Sequence, residues 1–261
     1  INLKDKTPAT ILSASIASNS SVSATFSEMV FSKNNGSGAL DSADFVFSLS
    51  EGTATLSKTY PISISTTGNT YTLGIGLSGT PDGSEVLTIA LADSAIYDAS
   101  GNVATTTQSN NTANLKDKTL PTISSVSTAT DSSILVEFNE TVFSKSDGSG
   151  ALDSADFVFS LSGGTATLSS TTPTSISVGG NTYALGISLT GTPDGSEVLT
   201  FAPADSAIYD AAGNVATTTQ SNNTVILYDE APPKAPTGFV ATPGWNQVNL
   251  IWNANSEGDV V

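Results

Sequence analysis

The sequence predicts an all-β protein built from tandem antiparallel β-sandwiches. The first observation is a duplication: residues 5–112 align with residues 117–224 without a gap, and 81 of the 108 pairs are identical. The second is that each copy contains short runs in which apolar and polar residues alternate, with turn residues between them. No run with a helical apolar period reaches helical length, and about seven short strands per copy favour a two-sheet sandwich.

Six runs in the first copy have the alternation of half-buried strands. In chain order they are 11–16, 22–26, 45–49, 53–56, 71–77 and 86–91. Turns are predicted between them at Asn35-Gly36, at Gly68-Asn69 and at residues 81–83 (PDG), because these residues supply the φ angles that tight turns need. The segment 93–98 comes nearest to a helix, with Asp93 as the cap of a single turn.

The alternation also predicts which side chains face the core. In the two copies they are Phe26, Phe45, Leu73, Ile75 and Leu87, and Phe138, Phe157, Leu185, Ile187 and Leu199.

The domain organisation follows from the repeat and from a change in composition after it. The two repeats occupy residues 1–116 and 117–228, and residues 2–7 (NLKDKT) recur at 114–119, so a further module is expected upstream. Residues 229–236 contain three prolines and no glycine, which predicts an extended linker. Residues 237–261 are predicted to be a partial fibronectin type III module. The segment 235–239 (APTGF), which begins at the end of the linker, and the run 248–252 (VNLIW) resemble the first two strands of such a module.

Composition excludes several classes of function. With 24 acidic residues against 8 basic ones, the net charge of -16 makes binding to nucleic acid or to an anionic membrane surface unfavourable. Histidine and cysteine are absent, which removes imidazole and thiolate catalysis and disulfides, and no apolar stretch approaches the ~20 residues of a membrane span.

Paired carboxylates are the one catalytic arrangement that the composition leaves open. The candidates Asp41, Asp44, Asp82 and Glu85 recur 112 residues later as Asp153, Asp156, Asp194 and Glu197. All of them stand beside turn residues, where capping and solvation explain them, so we expect no enzyme activity.

Two short motifs in each copy carry a family resemblance. Residues 25–28 (TFSE) and 97–102 (YDASGN), with their copies at 137–140 and 209–214, resemble the bacterial immunoglobulin-like repeats of surface-layer proteins and adhesins. The resemblance covers residues 1–228. It implies immunoglobulin-like sandwiches, an extracellular location at the cell surface and a role as a structural or adhesive spacer in a stalk, sheath or filament. The implied partners are neighbouring modules, further copies of the chain, or ligands of the cell surface and extracellular matrix.

In this sandwich type, three segments that are distant in sequence meet at the pole where the chain enters. They predict a calcium site of oxygen ligands in each repeat. The predicted ligands are Asp5, Glu28, Asp98 and Asn102 in the first repeat, and Asp117, Glu140, Asp210 and Asn214 in the second. The alternative is that Asp98 braces its own turn, that Asn102 is left-handed and that Glu28 is a solvated loop charge.

Three functions remain open at this point: a spacer array, a glycan- or protein-binding module, and an accessory region of a secreted hydrolase. Near-identical repeats favour the spacer, because a spacer needs only length whereas binding modules diversify their loops. We further expect the linkers around Asp5 and Asp117 to bury little and to act as hinges, which calcium would stiffen.

Overall fold

The computed structural model describes residues 4–130 and 132–254. The chain divides into two compact units, one up to Thr119 and one from Leu120 onward. The first unit therefore runs past residue 116, where the first repeat was predicted to end. Residues 1–3 of that repeat and residues 255–261 of the predicted fibronectin-like segment lie outside the described residues.

The first unit consists of short antiparallel strands and one turn of 3-10 helix at Ser42–Asp44. The strands are β1 (Ile11–Ser18), β2 (Ser21–Phe26), β3 (Val30–Phe31), β4 (Phe45–Ser50), β5 (Thr55–Leu56), β6 (Ile64–Thr67), β7 (Thr70–Gly74), β8 (Leu77–Ser78), β9 (Val86–Leu91), β10 (Tyr97–Asp98) and β11 (Thr112–Asn114). One sheet has the order β1-β2-β7-β6 and a second has the order β11-β9-β4. Two small ribbons, β5-β8 and β10-β3, complete the unit.

The second unit repeats this plan, with a 3-10 turn at Ser154–Asp156. Its strands are β12 (Ile123–Thr130), β13 (Ser133–Phe138), β14 (Phe157–Ser162), β15 (Thr167–Leu168), β16 (Ile176–Gly179), β17 (Thr182–Gly186), β18 (Leu189–Thr190), β19 (Val198–Pro203), β20 (Thr224–Ile226), β21 (Val240–Gly244) and β22 (Gln247–Ile251). The sheets are β12-β13-β17-β16 and β14-β19-β20, with a β15-β18 ribbon and a separate β21-β22 hairpin. The predicted fold class, all-β with tandem immunoglobulin-like antiparallel β-sandwiches, is confirmed.

Apolar residues of the two sheets meet in one core per unit. All ten side chains that the alternation predicted to face the core are buried, and none is more than 5% exposed. In the first unit Phe26 packs edge-on against Tyr71, with ring centroids 5.6 Å apart. Phe138 and Tyr183 repeat this contact in the second unit at 5.9 Å. The alternation of apolar and polar residues therefore predicted correctly which of these side chains face the core.

Several local predictions differ from the structure. Only Thr55–Leu56 of the predicted strand 53–56 is a strand, and the predicted strand 235–239 lies before β21. The predicted strand 71–77 is two strands, β7 and β8, with a break where the Gly76 carbonyl leaves the ladder to accept from Ser57 N (2.9 Å). The edge strand β6 was missed because only Ile64 of its residues is even half-buried, so it lacks alternation. The segment 93–98 is a tight turn followed by β10, and the 3-10 turn lies instead at Ser42–Asp44, where Asp41 caps it.

The hairpin β21-β22 carries apolar side chains that no other part of the described chain covers. Its strands are exposed along their whole length, and Leu250 and Trp252 are 51% and 55% exposed. Within the described residues, no helix has the length and apolar character needed to cross a membrane.

Candidate metal centre

Three carboxylates converge at one pole of the first unit. Asp5 lies on the entering segment, Glu28 follows β2, and Asp98 ends β10. Each offers a carboxylate oxygen, and the three oxygens lie within 4.8 Å of one another. Asp5 is exposed, Glu28 is half-buried and Asp98 is completely buried. The structure thus brings together the three acidic residues that the sequence predicted to meet in the first repeat.

Asp98 is also the brace of its own loop. Its Oδ1 accepts hydrogen bonds from the backbone amides of Ser100 (2.8 Å) and Asn102 (2.9 Å). Gly101 has φ +84°, and a Cβ there would lie 2.4 Å from the carbonyl oxygen of Asn34, so this position admits glycine alone. Asp98 therefore braces its own turn, as the alternative to a calcium site predicts, while the left-handed residue is Gly101 and not Asn102.

Asn102 joins the loop to the entering segment. Its Nδ2 donates to Asp98 Oδ2 at 2.6 Å and to the backbone carbonyl of Asp5 at 3.2 Å. The amide nitrogen, and not the oxygen that a cation would need, faces the acidic group. In this geometry Asn102 positions Asp98 and Asp5.

The pKa values of Glu28 and Asp98 are shifted in opposite directions. The pKa of Glu28 is raised by desolvation and by the nearby charges of Asp98 and Asp5. Burial alone would raise the pKa of Asp98 as well, but the hydrogen bonds from the side chain and backbone of Asn102 and from the amide of Ser100 outweigh it and hold the pKa below its ordinary value. Asp98 is therefore ionised at neutral pH, and Glu28 stands in a field that favours a positive counter-charge.

The second unit builds the same loop from its own residues. Asp210 is completely buried, its Oδ1 accepts from Ala212 N and Asn214 N (both 2.8 Å), and its Oδ2 accepts from Asn214 Nδ2 at 2.7 Å. Glu140 offers a carboxylate oxygen within 4.8 Å of one on Asp210. Asp117 belongs to the last segment of the first unit, where its Oδ1 accepts from Thr119 N at 2.8 Å. Asp5 makes the equivalent bond to Thr7 N, at 2.9 Å.

The paired carboxylates that were considered for catalysis have structural partners. Asp41 and Asp44 form a reciprocal capping box on the 3-10 turn, and Asp82 accepts from Ser84 N at 3.0 Å. The explanation of Glu85 and Glu197 as solvated residues is wrong, since both are completely buried. Each follows a PDGS turn and precedes the apolar run, and this position gave no signal of burial, because a charged residue beside a turn is usually exposed to solvent.

Comparison with known proteins gives few matches. No family model matches the chain, and no curated protein does. A crystal structure of the S-layer protein rSbsC is 17% identical with a TM-score of 0.32, and the match covers 90% of this chain and 28% of that one. A chimeric titin Z1Z2 functionalised with a KLER peptide from decorin is 14% identical with a TM-score of 0.24, covering 87% of this chain and 100% of that one. The chain thus spans about a quarter of the S-layer structure that it resembles.

Proposed function

We propose that this chain is a spacer segment of an extracellular cell-surface protein, in which calcium bound at the pole of each module stiffens the array. The observation that carries the proposal is that one sandwich is built twice, each time with the same braced aspartate beside a glutamate at the same pole. Duplication of a complete module with its own core adds length without adding new chemistry. Neighbouring modules are then the principal partners, and catalysis has no part in the role.

The geometry of the first unit supports a hard cation at Asp5, Glu28 and Asp98. Three carboxylates supply the charge, and backbone carbonyls and water complete the six to eight oxygen ligands that calcium takes. The 112-residue equivalence assigns Asp117, Glu140 and Asp210 to the second site. Asn102 and Asn214 hold the buried aspartates in place. Extracellular modules bind calcium at about 10⁻⁴ to 10⁻³ M, so even weak sites are filled outside a cell.

The β21-β22 hairpin supports a third module that begins like the first two. Ser27 N donates to Thr10 O at 2.8 Å, where β1 begins and β2 ends, and Asn139 N donates to Thr122 O at 2.9 Å at the equivalent place in the second unit. Asn253 N makes the same bond to Thr237 O at 2.8 Å. By this equivalence Trp252 takes the place of buried Phe26, in keeping with the core tryptophan of a fibronectin type III strand.

Calcium titration calorimetry of the whole chain tests the proposal. We expect two saturable sites in the wild type and one in a Glu28→Gln variant, because the substitution removes one charged ligand and leaves the Asp98 loop intact. Glu51→Gln is the matched control: it removes one negative charge at an exposed glutamate outside the carboxylate cluster and should keep both sites. Absence of saturable binding at millimolar calcium, or two sites in the Glu28 variant, would contradict the calcium assignment.

A further inference from the structure

A completely buried glutamate without a cationic partner among the described contacts lies in the first unit. Glu85 Oε1 accepts from the backbone amides of Thr53 (3.0 Å) and Ala54 (2.9 Å), and its Oε2 accepts from those of Asp82 (3.1 Å) and Gly83 (3.0 Å). One carboxylate therefore joins the loop after β4 to the turn before β9. Bonds from amides to an ionised acceptor are roughly twice as strong as those between neutral groups.

The backbone is shaped to admit this carboxylate. Gly52 has φ +67°, and a Cβ at this position would lie 2.3 Å from the Glu85 carboxyl carbon. The loop can thus close over the glutamate only because residue 52 has no side chain. These bonds account for the lowered pKa of Glu85, since they outweigh the effect of desolvation, which alone would raise it.

The same region holds the segment that leaves the sandwich. Leu115 N donates to the backbone carbonyl of Glu85 at 3.0 Å, and Lys118 N donates to that of Pro81 at 2.8 Å. Between them, Lys116 N donates to Asn19 Oδ1 (2.8 Å) while Asn19 Nδ2 donates to the Lys116 carbonyl (2.6 Å). These bonds hold residues 115–118 to the rest of the first unit. The expectation that the linker around Asp117 acts as a hinge is therefore wrong for this part of it.

The second unit repeats the arrangement. Glu197 accepts from the amides of Thr165 (2.8 Å), Ala166 (2.9 Å) and Asp194 (2.9 Å). Its backbone carbonyl accepts from Leu227 N at 3.0 Å, and the carbonyl of Pro193 accepts from Glu230 N at 3.0 Å. The bonds from backbone amides to the buried glutamate and the bonds that hold the outgoing segment therefore occur together in both units, so the arrangement belongs to the module.

We infer that Glu85 and Glu197 are positioning residues that latch the outgoing segment of each module onto the module it leaves. Removing the carboxylate frees the turn at residues 81–83. This turn contains the Pro81 carbonyl, which accepts the hydrogen bond from Lys118 N. The latch uses none of Asp5, Glu28 and Asp98, so it fixes the start of each linker without calcium. It goes beyond the proposed function, which concerns the pole where the chain enters.

Limited trypsin digestion of the full chain in chelator tests the latch, with each cleavage followed by mass spectrometry. Glu85→Gln should accelerate cleavage after Lys118 about tenfold, because an amide cannot accept from all the donors that the carboxylate satisfied. Glu197→Gln is the matched control and should leave this cleavage at the wild-type rate. Equal cleavage after Lys118 in wild type and Glu85→Gln would overturn the inference, and chelation keeps this outcome independent of the calcium proposal.

Cleavage after Lys33, in a loop of the same unit, shows whether Glu85→Gln unfolds the whole unit. If that cleavage accelerates equally, hydrogen exchange of the wild type decides. The latch predicts that the amides of Ala54, Gly83 and Lys118 exchange together through one shared opening. Exchange at Lys118 that is much faster than at Ala54 and Gly83 would show that the segment opens without the latch and would overturn the inference.

Discussion

Substituting Asp98 by alanine should destabilise the first unit whether or not calcium is present. The substitution removes three hydrogen bonds to a buried charged acceptor and leaves the amides of Ser100 and Asn102 without it. A hydrogen bond to a charged group contributes roughly 1.5 to 3 kcal/mol net, and such contributions are not additive. We therefore expect a loss of about 3 to 5 kcal/mol from the free energy of unfolding, a large share of the stability of a small domain.

Native-state hydrogen exchange, read in peptides unique to each unit, measures this loss with and without calcium. Glu28→Gln is the comparison variant: in chelator it should lose nothing, since it relieves repulsion from Asp98 and Asp5. Asp210→Ala should reproduce the Asp98 effect in the second unit alone. A loss below about 1 kcal/mol for Asp98→Ala in chelator would refute the bracing role, because even one net bond to a charged acceptor exceeds it.

Three further outcomes follow from the structure. The folded-state pKa of Glu85 lies below its unfolded value, so its contribution to stability is complete above the unfolded pKa and is lost as pH falls through the folded pKa. In Glu85→Gln the free energy of unfolding should therefore fall less steeply with decreasing pH than in the wild type, as measured by urea unfolding at a series of pH values. Phe26→Ala and Phe138→Ala should each cost roughly 3 to 5 kcal/mol in their own unit, measured by urea unfolding, and a cost near zero would contradict their place in the core. Calcium affinity should fall as pH falls through the raised pKa of Glu28, because a proton competes with the cation, and calorimetry at pH 7 and pH 5 should differ accordingly.

Patterning in the sequence was enough for the fold and for the core. Alternation located β1, β2, β4 and β9 to within two residues. The strands β2, β4 and β9 each have one buried face, and in β1 the partly buried Ala14 and Ile16 follow the buried Ile11. It missed β6 because this edge strand is exposed apart from Ile64, so apolar and polar residues do not alternate along it. It missed β3 and β10 because a strand of two residues contains a single period of the alternation, which is too short to recognise as a pattern.

The acidic triad was predictable because strand topology alone decides which loops share a pole. The orientation of Asn102 was not, since it depends on which end of one amide meets Asp98 and the Asp5 carbonyl. The burial of Glu85 could not be predicted either, because its partners are backbone amides. Some of these amides are more than thirty residues away and others are in the adjacent turn, and every residue type except proline has one, so the sequence does not indicate them.

Small-angle scattering of the whole chain tests the central claim most directly. Calcium should neutralise carboxylates that otherwise repel one another at the pole where a module begins, and so narrow the range of module arrangements. The account predicts a longer and narrower distance distribution in millimolar calcium than in chelator. It also predicts no response in an Asp117→Asn, Glu140→Gln double variant, which spares the bracing residue Asp210. Identical wild-type profiles in the two conditions would contradict the account and leave these acids as braces and surface charges.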